Sequence, residues 1–455
     1  MRAIAANMTN MQQDLPNLTD KAAALLIAAK KAGADAGDAV IMRSRSYSVD
    51  VRMGKTEQTE SAESDNFSLR VFVGKRVAAI SADLSAKPDE LAERAVAQAR
   101  VSPESPFEGE VETPLLAKTR RELDLLDSFA PDMIRLSDDA TVLEAAALAV
   151  KGVTNSGGAS AWYGVSGLVL VTSKGFSGSY LASHFGRSVS AVAGAGAELE
   201  RDYGYSSARH YADMTEIAAL GDKAGRQAVA RLGARQAPTG QVDVVFAPRV
   251  ARSLAGHLSA MVNGAAIARK TGLLRDFMGK RFMRPGMMVS DNPLRPRGAA
   301  SRPFDGEGVE PVPLALVEDG ILQDWLLSSS AAKELGLETN GRGVRSGNAI
   351  VPGATNFAIE AGETKPEDLI GSLKAGFYVT ELIGHGVDLV TGQYSRGAAG
   401  FWVENGAPVY PVGEVSLGSD LLHMFAHMTA ADDLDRHYAI AAPSLLVEGM
   451  MLAGK

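Results

Sequence analysis

Val242-Asp243-Val244-Val245-Phe246-Ala247-Pro248 opens a stretch that continues to Lys270 and reads as a strand feeding a helix. Val242, Val244, Val245 and Phe246 form a short β-branched and aromatic run, and Pro248 falls in a first helical turn, where its missing N–H costs nothing. Beyond it Val250, Leu254, His257, Leu258 and Met261 recur at three- and four-residue steps, which puts them on one face of an amphipathic helix. That face carries the helix's only histidine, so His257 points inward. Taken alone, a histidine on an apolar helix face is a satisfied core residue.

Upstream of this unit, Ala237-Pro238-Thr239-Gly240 breaks a preceding helical pattern and sets a boundary at 236–241. The expected fold class is therefore α+β in two domains. A flexible N-terminus over 1–18 leads into a helix-and-sheet domain over 19–235, and a β-rich domain over 236–455 begins with the strand-to-helix unit. In the first domain the patterns predict a helix over 19–32 capped by Thr19 and stopped at Gly33, and strands at 39–43 and 47–53. A hairpin joins 69–73 to 76–80 across Gly74-Lys75, and a helix runs from Pro88 to Arg100. Helices at 132–151 and 215–235 flank long strands within 159–199. In the second domain Leu316-Val317-Glu318-Asp319-Gly320-Ile321 and Trp402-Val403-Glu404-Asn405-Gly406-Ala407 each predict a hairpin with a primed turn, and short helices are expected at 330–335 and 365–375.

Composition narrows the function classes. The 455 residues are 46% hydrophobic and 22% charged, which suits a soluble globular protein with a large core. A net charge of −8, with no basic stretch beyond pairs such as Lys30-Lys31 or Arg120-Arg121, argues against direct binding of nucleic acid. No apolar run reaches the roughly 18 residues a membrane span needs, and the polar opening residues lack the centre of a secretory signal, so a cytoplasmic location is expected. The absence of cysteine removes disulfides, thiolate nucleophiles and zinc–sulfur sites together, leaving His, Asp and Glu for any metal.

Arg252-Ser253-Leu254-Ala255-Gly256-His257 resembles the His-Glu-x-x-x-His segment of the TldD/PmbA family, with the final Gly-His kept and the opening pair replaced. Three longer blocks carry the resemblance. They are Ser301-Arg302-Pro303-Phe304-Asp305-Gly306-Glu307-Gly308-Val309, the run from Val379 through Gly384-His385-Gly386 to Gly392, and Tyr394-Ser395-Arg396-Gly397-Ala398-Ala399-Gly400-Phe401-Trp402-Val403-Glu404-Asn405-Gly406. The ending Ala442-Pro443-Ser444-Leu445-Leu446-Val447-Glu448-Gly449-Met450 fits the same pattern. In that family the TldD subunit looks like a zinc peptidase whose two motif histidines and a C-terminal cysteine are ligands and whose glutamate is the base. The PmbA subunit, also called TldE, lacks the metal motif, and this chain resembles that side.

Residue by residue, Arg252 stands at the first histidine, stays protonated and has no lone pair for a metal. Ser253 stands at the glutamate, and an unassisted hydroxyl is no base near neutral pH. Positions 252 and 257 are also about 140° apart on a straight helix. No catalytic residue and no metal is therefore assigned to this chain. The resemblance implies a heterodimer with a TldD-like subunit that holds the zinc, cutting unfolded or short peptides, including microcin-type precursors and labile antitoxins. A homodimer is expected of the isolated chain, because a surface made for a similar fold can serve an isologous contact. The family's label as a modulator of DNA gyrase implies at most an indirect genetic link.

Other clusters are weighed against this reading. His423 and His427, four apart and followed by Asp432, Asp433, Asp435 and His437, could share a helix face and hold a metal. The glycine-rich block from Gly384 to Gly400 could be structural, or could form a peptide-binding floor at His385, Phe401 and Trp402, where an extended substrate adds to exposed strand edges. Asp305 and Glu307 read more simply as a loop turn with a solvated glutamate than as an acid–base pair, and Ser301 and Ser395 would be nucleophiles only beside a histidine base. The alternatives to a silent subunit are a self-sufficient metallopeptidase using another site, and a non-enzymatic dimeric scaffold or adaptor.

Overall fold

Helix α1 (Arg2–Ala32) begins well before Thr19, whose hydroxyl bonds back to the Leu15 carbonyl at 2.9 Å instead of capping a helix start. The structure, a computed structural model, describes residues 2–119, 121–196, 198–347 and 349–455; Met1 and Arg120, half of the second basic pair, lie outside them. The segment over 1–18, expected to precede the first helix, is part of α1 from Arg2 onward. Met11, Leu15, Leu18, Ala22 and Leu25 repeat at four and three residues, and this stripe continues the apolar face of α1 through the polar opening. Met11 and Leu18 are buried, the first against Tyr47 and Tyr163. Gly33, at φ 100°, ends the helix as its sequence suggests.

The chain then builds β1 (Ala36–Arg52), β2 (Lys55–Val73), β3 (Arg76–Asp83), α2 (Pro88–Val101), α3 (Met133–Leu148), β4 (Val153–Thr172), β5 (Ser177–Ala193), β6 (Glu200–Ala208) and α4 (Ile217–Ala230). Six antiparallel strands lie in the order β3-β2-β1-β4-β5-β6. The two strands expected at 39–43 and 47–53 are one, because Ser44, Arg45 and Ser46 stay in register with both β2 and β4. The β2–β3 hairpin closes on Val73↔Arg76, as read from sequence, and Asp132 caps α3 by accepting from the Arg135 N–H at 2.8 Å. Strand alternation divides the faces: Ala39, Ile41, Tyr47 and Val49 pack under the helices, while Val40 with Leu170 meets Phe304 and Val309 from the second half.

After the boundary come β7 (Gly240–Phe246), α5 (Pro248–Met261) and α6 (Gly264–Ala268). The predicted helix to 270 is broken at Asn263, whose side chain caps α6 by accepting from the Ala265 N–H at 3.0 Å. There follow β8 (Val289–Asp291), β9 (Leu314–Glu318), β10 (Ile321–Leu322), α7 (Ser329–Leu335), β11 (Gly343–Ser346), β12 (Ala349–Pro352), β13 (Phe357–Ile359) and α8 (Pro366–Gly371). The chain ends with β14 (Ala375–Ile383), β15 (Gln393–Glu404), β16 (Ala407–Asp420), α9 (Leu421–Ala426), β17 (Met428–Ala430), β18 (Ile440–Ala441) and β19 (Leu445–Ala453). A five-stranded sheet runs β10-β9-β8-β13-β18, and a second sheet runs β16-β15-β14-β7-β19-β17. An added β16–β19 pairing, Ser416↔Ala453 to Gly418↔Met451, closes β16, β15, β14, β7 and β19 into a ring. Both predicted primed turns are present, with Asp319 and Gly320 at φ 49° and 74° and Asn405 and Gly406 at 50° and 78°. The fold is α+β and multi-domain.

The halves are clamped by shared carboxylates. Asp38 accepts from Arg70 Nε at 2.7 Å and from Arg345 Nη2 at 2.5 Å. Asp202 takes Arg249 through both oxygens, at 2.5 and 2.8 Å.

Candidate functional site

The degenerate motif sits on α5, which Pro248 opens and whose Leu254, Leu258 and Met261 share one core with Val244, Phe246, Phe377 and Val379 of the ring. Arg252 and His257 diverge, as their helical offset requires. The Arg252 guanidinium lies 3.6 Å over the Tyr438 ring, a close cation–π contact. The Ser253 hydroxyl donates back to the Val250 carbonyl at 2.7 Å, so it is spent on the helix. His257 is half-buried and meets Tyr394 of β15 edge-on, with ring centroids 6.4 Å apart. Its Nε2, the Tyr394 hydroxyl and Arg396 Nε are buried without hydrogen-bond partners among the described residues. Burial, and then the nearby Arg396 charge, hold the His257 pKa below its ordinary value.

These residues do not form a zinc donor set. One neutral imidazole stands beside a guanidinium, and the positions of the missing ligand and base are occupied by a cation on an aromatic ring and a hydroxyl on a carbonyl. The second histidine pair fares no better. His423 lies in α9 and His427 just past its end, their rings stacked at 4.2 Å. His427 Nδ1 faces the His423 carbonyl at 2.9 Å and His423 Nε2 faces the Glu448 carbonyl at 3.3 Å. Asp433 takes the Ser444 N–H and hydroxyl, and Asp435 takes His437. Among the described residues no three His, Asp or Glu side chains converge as a metal-holding group.

The glycine-rich block differs from the edge-strand expectation. Phe401 pairs with Tyr378 on one side and Pro411 on the other, and Trp402 with Phe377 and Tyr410, so β15 is interior and offers no free edge for an added strand at these residues. Trp402 is buried, its indole N–H on Glu404 at 3.0 Å. His385 is separate from them, exposed on the loop between β14 and β15. Gly400 shows what its block requires: a Cβ there would fall 2.0 Å from the Tyr378 carbonyl oxygen.

Asp305 and Glu307 are both buried, which corrects the expectation of a solvated glutamate. Asp305 accepts from the N–H groups of Glu307, Val309 and Gly343, while Glu307 accepts from the Ser329 N–H and hydroxyl. Burial and the Glu307 charge push the Asp305 pKa up. With their oxygens holding backbone together, these carboxylates act as staples. Ser301 is spent on the Arg295 carbonyl at 2.6 Å, and Ser395 is exposed.

Sequence reading missed a cavity of about 700 Å³ where β4, β5 and β6 face the loops at 295–299 and 434–437. Its only sequence signal was glycine opposite aromatic residues in the long strands, legible once the register is known. The cavity adjoins the motif helix through a row of rings: Trp162 to Tyr205 at 5.9 Å, Tyr205 to Tyr438 at 6.2 Å, and Arg252 over Tyr438.

Comparison with known proteins places this geometry. Residues 239–454 match the model of the PmbA/TldA metallopeptidase C-terminal domain, 37–99 that of domain 1 and 126–232 that of the central domain. The last two contribute strands to one continuous sheet here. Metalloprotease PmbA of Escherichia coli O157:H7 is 31% identical over 463 residues, covering 100% of both chains. The metalloprotease PmbA homolog of Haemophilus influenzae is 32% identical over 94% of each. The crystal structure of TldE from Thermococcus kodakarensis superposes with a TM-score of 0.84 at 18% identity, over 94% of this chain and 99% of that one, and so shares the fold. The chain belongs to the PmbA/TldD metallopeptidase family.

Proposed function

We propose that this chain is the PmbA/TldE-type half of a cytoplasmic metalloprotease, without a catalytic zinc of its own, and that it shapes the chamber and binds peptide for a TldD-like partner that supplies the metal. The observation that carries this reading is the fate of the two motif positions: Arg252 rests on Tyr438 and Ser253 on the Val250 carbonyl, so neither can ligate zinc or activate water. Full-length likeness to proteins named PmbA supports the same side of the family. No described helix is long and apolar enough to cross a membrane.

The test mixes the purified chain with a TldD-like protein and follows cleavage of an unfolded peptide, with zinc measured by mass spectrometry after dialysis. Cleavage should appear in the mixture and be absent from this chain alone, which should carry no stoichiometric zinc. Chelator-sensitive cleavage by the single chain would overturn the proposal in favour of a self-sufficient metallopeptidase. Pairing with the TldD-like protein without any effect on cleavage would leave only a scaffold.

A further inference from the structure

The 700 Å³ cavity has a built floor and a wall in which two arginines stand outside any ion pair among the described residues. In the register of β4 and β5, Trp162 stands opposite Gly186 and Gly164 opposite His184, all on one face of the sheet. A Cβ at Gly186 would lie 2.0 Å from the Trp162 indole, and one at Gly164 would lie 2.4 Å from the His184 ring. Each aromatic ring therefore lies across the glycine of the neighbouring strand, giving an aromatic floor that Tyr205 extends with its ring tilted 38° from the Trp162 indole.

Four arginines also line the cavity. Two are balanced: Arg297 by Asp124 at 2.5 Å and Asp213 at 3.2 Å, and Arg436 by Glu360. The other two form no ion pair among the described residues. Arg209 spends donors on the Ser183, Gly298 and Ala299 carbonyls, which position it without neutralising it. Arg295 places one donor on the Arg436 carbonyl at 2.8 Å, leaving most of its five N–H groups without a described protein acceptor. Burial lowers the pKa of both; for Arg295 the Arg436 charge adds to it and the Glu360 and Asp435 charges oppose it. Enclosure and the Arg209 charge likewise push His184 down. Asp435 lines the same wall, on His437 at 2.6 Å, and its charge and that of Glu360 also reach Arg295, so what the cavity offers above its aromatic floor is two guanidinium groups outside any ion pair, not a net excess of charge.

We propose that the cavity binds the carboxylates of an extended acidic peptide segment, with Arg295 and Arg209 taking the carboxylate and Trp162 and Tyr205 covering the rest of the segment. Guanidinium groups recognise carboxylates through paired donors, and the volume lies in the range of ligand sites. The proposal rests on the preceding section only in naming a peptide as the ligand. It needs neither a partner subunit nor hydrolysis, so the two can fail separately.

The experiment titrates the full chain alone, at low salt, by calorimetry and tryptophan fluorescence. Three probes are used: Ala-Glu-Glu-Glu-Ala amide, its glutamine counterpart as the amide, and the glutamine peptide with a free C-terminus. The glutamate peptide should bind at least ten-fold more tightly than the glutamine amide and change Trp162 emission, a change lost in Trp162→Phe. If the free-terminus glutamine peptide binds as well as the glutamate peptide, the carboxylate taken is a chain end, which refines the proposal within its chemistry and supports it. Arg295→Gln should bring the glutamate preference below three-fold, with Arg295→Lys retaining part of it, while the melting temperature confirms folding. Equal binding of all three peptides, or a preference that survives Arg295→Gln in folded protein, overturns the proposal. Should Arg295→Gln unfold the chain, the decision falls to wild type: a glutamate preference whose fluorescence signal persists in Trp162→Phe places binding elsewhere and also overturns it.

Discussion

Removing one carboxylate should loosen the clamp between the two halves. Asp38 is buried and holds Arg70 at 2.7 Å and Arg345 at 2.5 Å, with the three side chains between 2% and 11% exposed. Burial raises its pKa, but the charges of Arg345 and Arg70 outweigh this and hold it below the usual carboxylate range. At a charge separation of about 4 Å and an effective dielectric of about 20, each pair contributes about 4 kcal/mol of attraction, much of it offset by desolvation. Asp38→Asn keeps the shape and removes the charge, leaving two guanidinium groups facing each other. The expected loss is about 3–5 kcal/mol, the range for breaking a buried ion pair. Arg345→Met should cost less, since Arg70 still faces Asp38. In the double variant Asp38→Asn, Arg345→Met, the second change should cost less than it does alone, because one orphaned cation has been removed. Urea unfolding at pH 7 of all four proteins measures the cycle. A lowered carboxylate pKa adds stability that is present above the unfolded value and lost as pH falls through the folded one, so Asp38→Asn should also weaken the acid dependence below about pH 4. A loss under about 1 kcal/mol for Asp38→Asn, or a strictly additive cycle, would refute the clamp.

His257 offers a pH signature of the same sense in a higher pH window. Its pKa is lowered by burial and by Arg396, with Tyr394 the other polar group against it. The unfolded chain therefore takes up a proton first, and the stability His257 contributes above about pH 6.5 is lost as pH falls through that value. His257→Leu should flatten the slope of the urea midpoint between pH 8 and 5.5; an unchanged slope counts against this environment. Gly400→Ala forces a Cβ to within 2.0 Å of the Tyr378 carbonyl and should cost about 3 kcal/mol or more by spreading β14 from β15, read as a drop in melting temperature. A loss below about 1 kcal/mol would mean that the block's glycines are not there for close approach.

Local chemistry made much of this fold legible before any coordinates. Pro248 marks the start of α5, Asp319-Gly320 and Asn405-Gly406 form their primed turns, and Gly33 ends α1, because each depends on the φ or the hydrogen-bonding groups of a few adjacent residues. The spent motif was equally readable, since the chemical identities of Arg252 and Ser253 already deny them a metal's lone pair or a base. Other features had no local signature. The start of α1 at Arg2 depends on Met11 finding Tyr47 and Tyr163, and the burial of Glu307 on Ser329 coming to meet it from 22 residues away. Whether β15 had an edge was decided by its register with β14 and β16.

What the sequence determined by itself was where particular turns and helix ends fall and the chemistry its side chains could or could not perform, fixed by dihedral preference, periodicity and the identity of each polar group. What only tertiary structure decided was adjacency. Trp162 gains its place over Gly186 from strand register, and Arg209 and Arg295 come from segments 86 positions apart to face one cavity, because pairing and burial across the chain, unlike turns and helix faces, are settled by contacts no local stretch contains.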